Sequence, residues 1–300
     1  MKKTKIVSED DVVTIAAYIF YTIFALICLY PFYYILINSI SANDISERGK
    51  VIFYPVGVHF SNFIRVFKIP DLVNAAKISV LRTAIGSFAT VFASGFLGYM
   101  FTKPSVWMRK LWYRMVVGTM YFNAGIIPWY LTMHNLRLTN NFLAYILPTI
   151  ISPFFVVLCK TFVESTPKEL QEAAVIDGAG TLGIFFRVLL PVIKPILATV
   201  AIFTAVGQWN SFQDTLLLMT DPKLNTLQFT LYRYLNQANS LKNLINTGGT
   251  AVMAQNLSNA QTATSIRMTV TVVVVTPVIL IYPIFQRFFV KGIMIGSVKG

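Results

Sequence analysis

The sequence predicts an all-α integral membrane protein with six transmembrane helices and both termini on the cytoplasmic side. Three observations carry this. The chain of 300 residues is 55% hydrophobic and only 12% charged, against roughly 25% charged in soluble domains. Its mean hydropathy is +0.64, and its apolar residues gather into runs near the length of about 20 that a membrane span needs. Finally, the 12 Asp and Glu residues fall between those runs or at their ends.

The spans follow in order at 12–38, 78–101, 111–132, 142–163, 192–213 and 268–290. The first has lysines before it, as a signal peptide would. Its run from Val12 to Ile40 is nevertheless longer than an h-region of about 7–15 residues and lacks a small-residue cleavage site, so it reads as a retained helix. The fourth is interrupted by Pro148 and Pro153, which membrane helices tolerate where neighbours re-satisfy the backbone. Six spans put both termini on one side, and Lys and Arg choose it. With the termini inside, the inner segments hold Lys2, Lys3, Lys5, Lys103, Arg109, Lys110, Arg114, Lys160, Lys168, Arg187, Lys194, Arg287, Lys291 and Lys299, 14 of the 25 bases. The outer loops then lie near 41–76 and 214–267. Arg82 and Lys77, near the start of the second span, read as interfacial side chains that snorkel to water.

Composition also excludes. The net charge of +13 is scattered singly between apolar segments, which suits membrane topology and not nucleic acid. Cys28 and Cys159 lie inside apolar runs with no C-x-x-C or zinc spacing, so no metal site or disulfide framework is indicated. No Ser-His-Asp or paired-carboxylate set can be assembled on one side of the membrane, so the chain does not read as an enzyme. No carboxylate is placed at mid-membrane, which weakens a proton-coupled or sodium-coupled carrier. A stand-alone secondary carrier for a small polar solute remains the alternative. The only Gly-Lys pair, Gly49-Lys50, is followed by Val51, so the chain has no phosphate-binding P-loop. If ATP drives it, another subunit binds the ATP.

The loop between spans four and five, 164–191, carries the most information. In "STPKELQEAAVIDGAG", Thr166, Pro167 and Glu169 form a helix-start signature. Gly178 is suited to end the helix in a left-handed conformation. A helix over 167–177 is predicted, with Leu170, Ala173, Ala174 and Asp177 on one face. Small alanines there would let another protein approach, and Glu172 could meet a partner's base. An interfacial amphipathic helix with no partner fits the same residues.

The pattern Glu172-Ala173-Ala174, then Asp177-Gly178-Ala179, Phe186, Leu190-Pro191 and Lys194-Pro195 resembles the EAA loop of ABC-importer permeases. The chain end "YPIFQRFFVKGIMIGSVKG" and the stretch "GQWNSFQDTLLL" resemble the carbohydrate branch of that family, related to the maltose permease small subunit and of the LplC-like type. The resemblance covers nearly the whole chain. It implies a type I ABC-importer permease fold, one permease domain over 1–300 in the cell membrane, and import of an oligosaccharide or related glycan. It also implies partners: a homologous second permease, two cytoplasmic ATPases that hold ATP and Mg, and an extracellular solute-binding protein. No cofactor is implied in this chain. The ATPase-coupling residues would be Glu172, Ala173, Ala174, Asp177, Gly178 and Pro191, with Phe185, Phe186, Leu189 and Leu190 as the apolar bed beneath them. Asn123, Gln208, Trp209 and Asn210 could line the passage, since sugars stack on aromatic rings and bond to amides. The reading favoured by the residues alone puts Trp209 in the interfacial aromatic belt and has Asn210 bridge helices.

Overall fold

The computed structural model describes residues 9–68, 71–246 and 263–297. It is all-helical, with no strand among the described residues. The chain divides into two units. One comprises Met1–Lys68 and Tyr234–Val273, the other Ile69–Arg233 and Val274–Gly300.

In the first unit, α1 (Glu9–Ser39) is long and apolar enough to span a membrane, and its side chains are exposed along most of its length. At its end the chain turns through α2 (Asn43–Glu47) and α3 (Ser61–Phe67). Buried amides hold this corner: Asn38 Nδ2 donates to Val51 O at 3.2 Å, and Asn62 Nδ2 to Ser39 O at 3.1 Å.

The second unit is built on α4 (Leu72–Met100). α5 (Arg109–Gly118) and α6 (Ile126–Asn135) follow, then two short 3-10 turns, Phe142–Tyr145 and Leu147–Thr149, and α7 (Pro153–Ser165). α8 (Glu169–Ile176) leads into α9 (Thr181–Gly183), a π-helical turn Ile184–Leu189 and α10 (Leu190–Val192). α11 (Lys194–Asn210) and α12 (Gln213–Leu218) come next, and α13 (Leu227–Asn246) and α14 (Ala263–Ser297), each with residues in both units, complete the order. α4 is the element on which α7 and α11 pack. It achieves this through small residues, as helices in lipid do when no hydrophobic drive separates them from solvent. A Cβ on Gly98 would stand 2.8 Å from Lys160 N and from Cys159 Cβ, so only glycine lets α7 approach so closely.

Among the described residues, three helices can cross a membrane as they stand: Val13–Ser39, Leu72–Met100 and Thr264–Ile281. Two more spans arise if bent pairs are joined. Phe142–Thr149 and Pro153–Ser165 meet at 46°, and Thr181–Val192 and Lys194–Asn210 at 80°. The expected span 111–132 is corrected: it is α5 and α6, parted by non-helical residues after Gly118. Gly125 has φ +85°, and its N–H is taken by Asn123 Oδ1 at 2.9 Å, a local turn that competes with a continuous helix. The 80° bend has a similar local cause. The break falls at Ile193 (φ −87°, ψ 7°), and Pro195, in the first turn of α11, has no N–H to give the preceding turn.

Candidate functional site

The loop 164–191 folds onto the end of α4 through one side only. Ala174 is buried against Tyr99, Val163, Ile184, Phe185, Leu189 and Ile193. Phe185 stacks on Tyr99 with centroids 5.6 Å apart and meets Phe96 edge-on at 5.3 Å. Lys103 Nζ donates to Gln171 Oε1 at 2.9 Å and lies over the Tyr99 ring, where burial holds its ammonium below the usual lysine range. A groove of 790 Å³ runs beside α8, bounded by Lys103, Glu164, Lys168, Gln171 and Glu172.

The opposite side of α8 is bare. Glu172, Ala173, Asp177 and Gly178 are exposed, and Glu172 makes no ion pair among the described residues. Val175 and Ile176 are also outside, Ile176 at 86% exposure, as is Leu182. The expectation that both alanines lie open to a partner is therefore corrected for Ala174, which serves the interior. Pro191 is exposed at the start of α10, and Phe186 is half-exposed, stacked on Phe92 at 6.1 Å.

The two ends of α8 differ from each other. The predicted capping box does not form, because Thr166 Oγ1 donates to Val163 O at 2.6 Å and Lys168 occupies the cap. The C-terminal end is as the glycine implied. Gly178 has φ +78°, its N–H bonds Val175 O at 3.0 Å, and Ala179 N–H bonds Ala174 O at 2.9 Å. These two bonds are a Schellman closure, which satisfies the last carbonyls and turns the chain sharply away.

A second polar centre lies where α4, the 3-10 turns, α11 and α12 meet. Arg82, expected to snorkel to the interface, is instead 1% exposed. It forks onto Asp214, with Nη1 donating to Oδ1 at 3.1 Å and Nη2 donating to Oδ2. Gln208 Oε1 accepts from Nε at 3.1 Å and from Nη2 at 2.9 Å, and Ser211 O accepts from Nη1 at 3.3 Å. The guanidinium lies 4.4 Å from the centroid of the Tyr145 ring. Gln208 gives its own N–H groups to Thr149 Oγ1 at 2.7 Å and Tyr145 O at 3.3 Å. Gly86 makes room for it, since a Cβ there would stand 2.7 Å from Gln208 Nε2. A cavity of 480 Å³ opens over this centre.

Of the four residues expected along a passage, only Gln208 borders this cavity. Trp209 is buried and donates Nε1–H to Val274 O at 3.0 Å, while Asn210 is exposed at the end of α11. Asn123 lies in the break before α6. Sequence reasoning missed Arg82, Asp214, Tyr145 and Thr149. A lone Arg inside an otherwise apolar run was the available signal, because such a charge needs a partner wherever it is not at the membrane edge.

The comparisons agree with this architecture. The family model described as "Binding-protein-dependent transport system inner membrane component" matches residues 8–295. Protein LplC of Bacillus subtilis is 34% identical over 275 residues, covering 91% of this chain and 90% of LplC. The polygalacturonan/rhamnogalacturonan transport system permease protein YtcP of the same organism is 32% identical over 284 residues, 94% of this chain and 96% of YtcP. Among solved structures, a chain of a bacterial ABC transporter that imports the acidic polysaccharide alginate superposes with a TM-score of 0.81. It is 28% identical, over 95% of this chain and 100% of the other. With a family match over nearly its full length and carbohydrate ABC permeases as relatives, the chain belongs to the binding-protein-dependent transport system inner membrane components, multi-pass permeases of the cell membrane.

Proposed function

We propose that this chain is one permease subunit of an ATP-driven importer for an oligosaccharide or related glycan. The observation that carries the reading is α8. It is tied to the bundle by Ala174 on one side, and on the other it shows water an exposed Glu172, Val175 and Ile176, with no ion pair to Glu172 among the described residues. Apolar side chains on a polar loop cost free energy until a partner covers them.

The partner is a cytoplasmic ATPase, which holds the ATP and Mg. Two such subunits, a homologous second permease and an extracellular solute-binding protein complete the assembly. Counting α5 and α6 together as one broken span, the chain crosses the membrane six times, with both termini in the cytoplasm. ATP-driven closure of the ATPases moves α8, and the packing of Phe185 and Leu189 on α4 passes that motion to the spans. Such a cycle requires that ATP and the loaded binding protein favour the outward-open state over the inward-open one. The glycan assignment draws on relatives named for polygalacturonan/rhamnogalacturonan and arabinooligosaccharide transport.

The test is purification from the native membrane in mild detergent, followed by mass spectrometry of what accompanies the chain. A second permease and a P-loop ATPase are expected. A chain that purifies alone and moves solute in liposomes without ATP would overturn the reading.

A further inference from the structure

We propose that the cavity over Arg82 is a subsite for one ring of a neutral glycan and that it rejects uronates; this rests on the glycan-importer reading and specifies its cargo. At first sight Arg82 suggests the opposite, since an arginine in a sugar pathway would suit a carboxylate. Its hydrogen bonds exclude that role. A guanidinium has five N–H donors. Two go to Gln208 Oε1, two to the Asp214 carboxylate and one to Ser211 O. Both amide N–H groups of Gln208 are spent on Thr149 and Tyr145. No charged or amide donor of this centre is left for an anion.

What faces the cavity unspent is oxygen. Asp214 Oδ2 accepts only from Arg82. The Ser211 hydroxyl donates to Asp214 Oδ1 at 3.1 Å and keeps its lone pairs. Ser152 Oγ, also on the wall, is half-buried and makes no hydrogen bond among the described residues. All three accept hydrogen bonds from sugar hydroxyls, and the Asp214 carboxylate, an acceptor only, repels a second carboxylate. Among the described residues of the lining, Arg82 and Asp214 are the only formally charged ones, and their charges cancel. Phe155 and Phe203 form an apolar wall, their ring centroids 6.4 Å apart, against which the C–H face of a sugar ring can pack. The volume of 480 Å³ lies within the range of about 300–1,000 Å³ of small-ligand sites.

Gly207 supplies a test that spares the polar centre. It lines the cavity, and a Cβ there meets nothing within 4 Å, so a larger side chain enters empty space. The complete importer, purified with its partner subunits but without the solute-binding protein, is dialysed against labelled probes. These are a panel of neutral trisaccharides of arabinose, galactose, glucose and mannose, and trigalacturonate. Saturable binding of at least one neutral trisaccharide is expected, weakened tenfold or more by Gly207→Phe, with none for trigalacturonate. If Gly207→Phe fails to assemble, Phe203→Ala, at a half-exposed position of the wall, should give the same weakening. Trigalacturonate binding that either variant abolishes would overturn the proposal. So would neutral binding that neither variant changes, or no neutral binding at all. Failure of the importer reading looks different: no ATPase would be present in the purified material.

Discussion

The turn at Gly178 offers the sharpest test of the proposed coupling through the loop 164–191. Its φ of +78° lies where side chains with a Cβ are strained, and a Cβ there would touch nothing within 4 Å. A substitution thus acts through the backbone alone and not through a clash. An L-residue in the left-handed region costs roughly 1–2 kcal/mol, less for Asn, whose short polar side chain tolerates it. At about 1.4 kcal/mol per tenfold change, Gly178→Ala should shift the closed turn toward open forms by roughly five- to thirtyfold. Gly178→Val should shift it further, and Gly178→Asn least. Opening the turn breaks the bonds from Gly178 N–H and Ala179 N–H, so α8 loses the fixed angle at which it meets the π-helical turn. The assay is ATP-driven uptake by the complete importer in proteoliposomes, with ATP hydrolysis measured in the same samples. Uptake per ATP should fall in the order Gly, Asn, Ala, Val, while the complex stays assembled. Equal uptake in wild type and Gly178→Val would refute the idea that this turn transmits motion.

Other expectations concern packing and charge. Asp214→Ala leaves Arg82 buried without its counter-ion, and such a loss costs about 3–5 kcal/mol. The thermal unfolding temperature of the complex should drop markedly, and the double variant Arg82→Met/Asp214→Leu should recover most of it. Phe185→Ala removes the ring stacked between Tyr99 and Phe96 and should cost about 3–5 kcal/mol, read as the same thermal shift. Gly98→Ala drives a methyl into the backbone at Lys160 and should cost about 1–3 kcal/mol. By contrast, Gly207→Ala meets open space inside a helix and should raise stability by up to about 1 kcal/mol. Glu172→Gln should weaken capture of the ATPase in pull-downs while leaving thermal unfolding of the isolated chain unchanged, because Glu172 makes no ion pair among the described residues.

Much of this protein is written locally. The helical, membrane-borne class follows from the apolar runs alone, because a backbone in lipid must satisfy its own hydrogen bonds. The end of α8 was legible because a left-handed residue after a helix is a property of a few neighbouring atoms, and glycine is the residue that accepts it. The interruptions by Pro148 and Pro153 were legible for the same reason: a missing N–H is a local fact. The break within 111–132 was not, since its Asn123–Gly125 turn competes with an apolar pattern that reads as one helix.

Residues far apart in the chain decided the rest. Nothing near Arg82 in sequence announces Asp214, 132 positions away, so hydropathy alone moved it to the membrane edge. Ala173 and Ala174 are adjacent and chemically identical, yet one faces water and the other the core. That choice belongs to Tyr99, Val163 and Phe185, which only the folded bundle brings together. The sequence by itself determined the solvent of this protein, its helical class and the turn that ends α8, because those depend on short-range chemistry. Tertiary structure decided which side of α8 stays free and which charges cancel over the cavity, because both depend on contacts made only once distant helices pack.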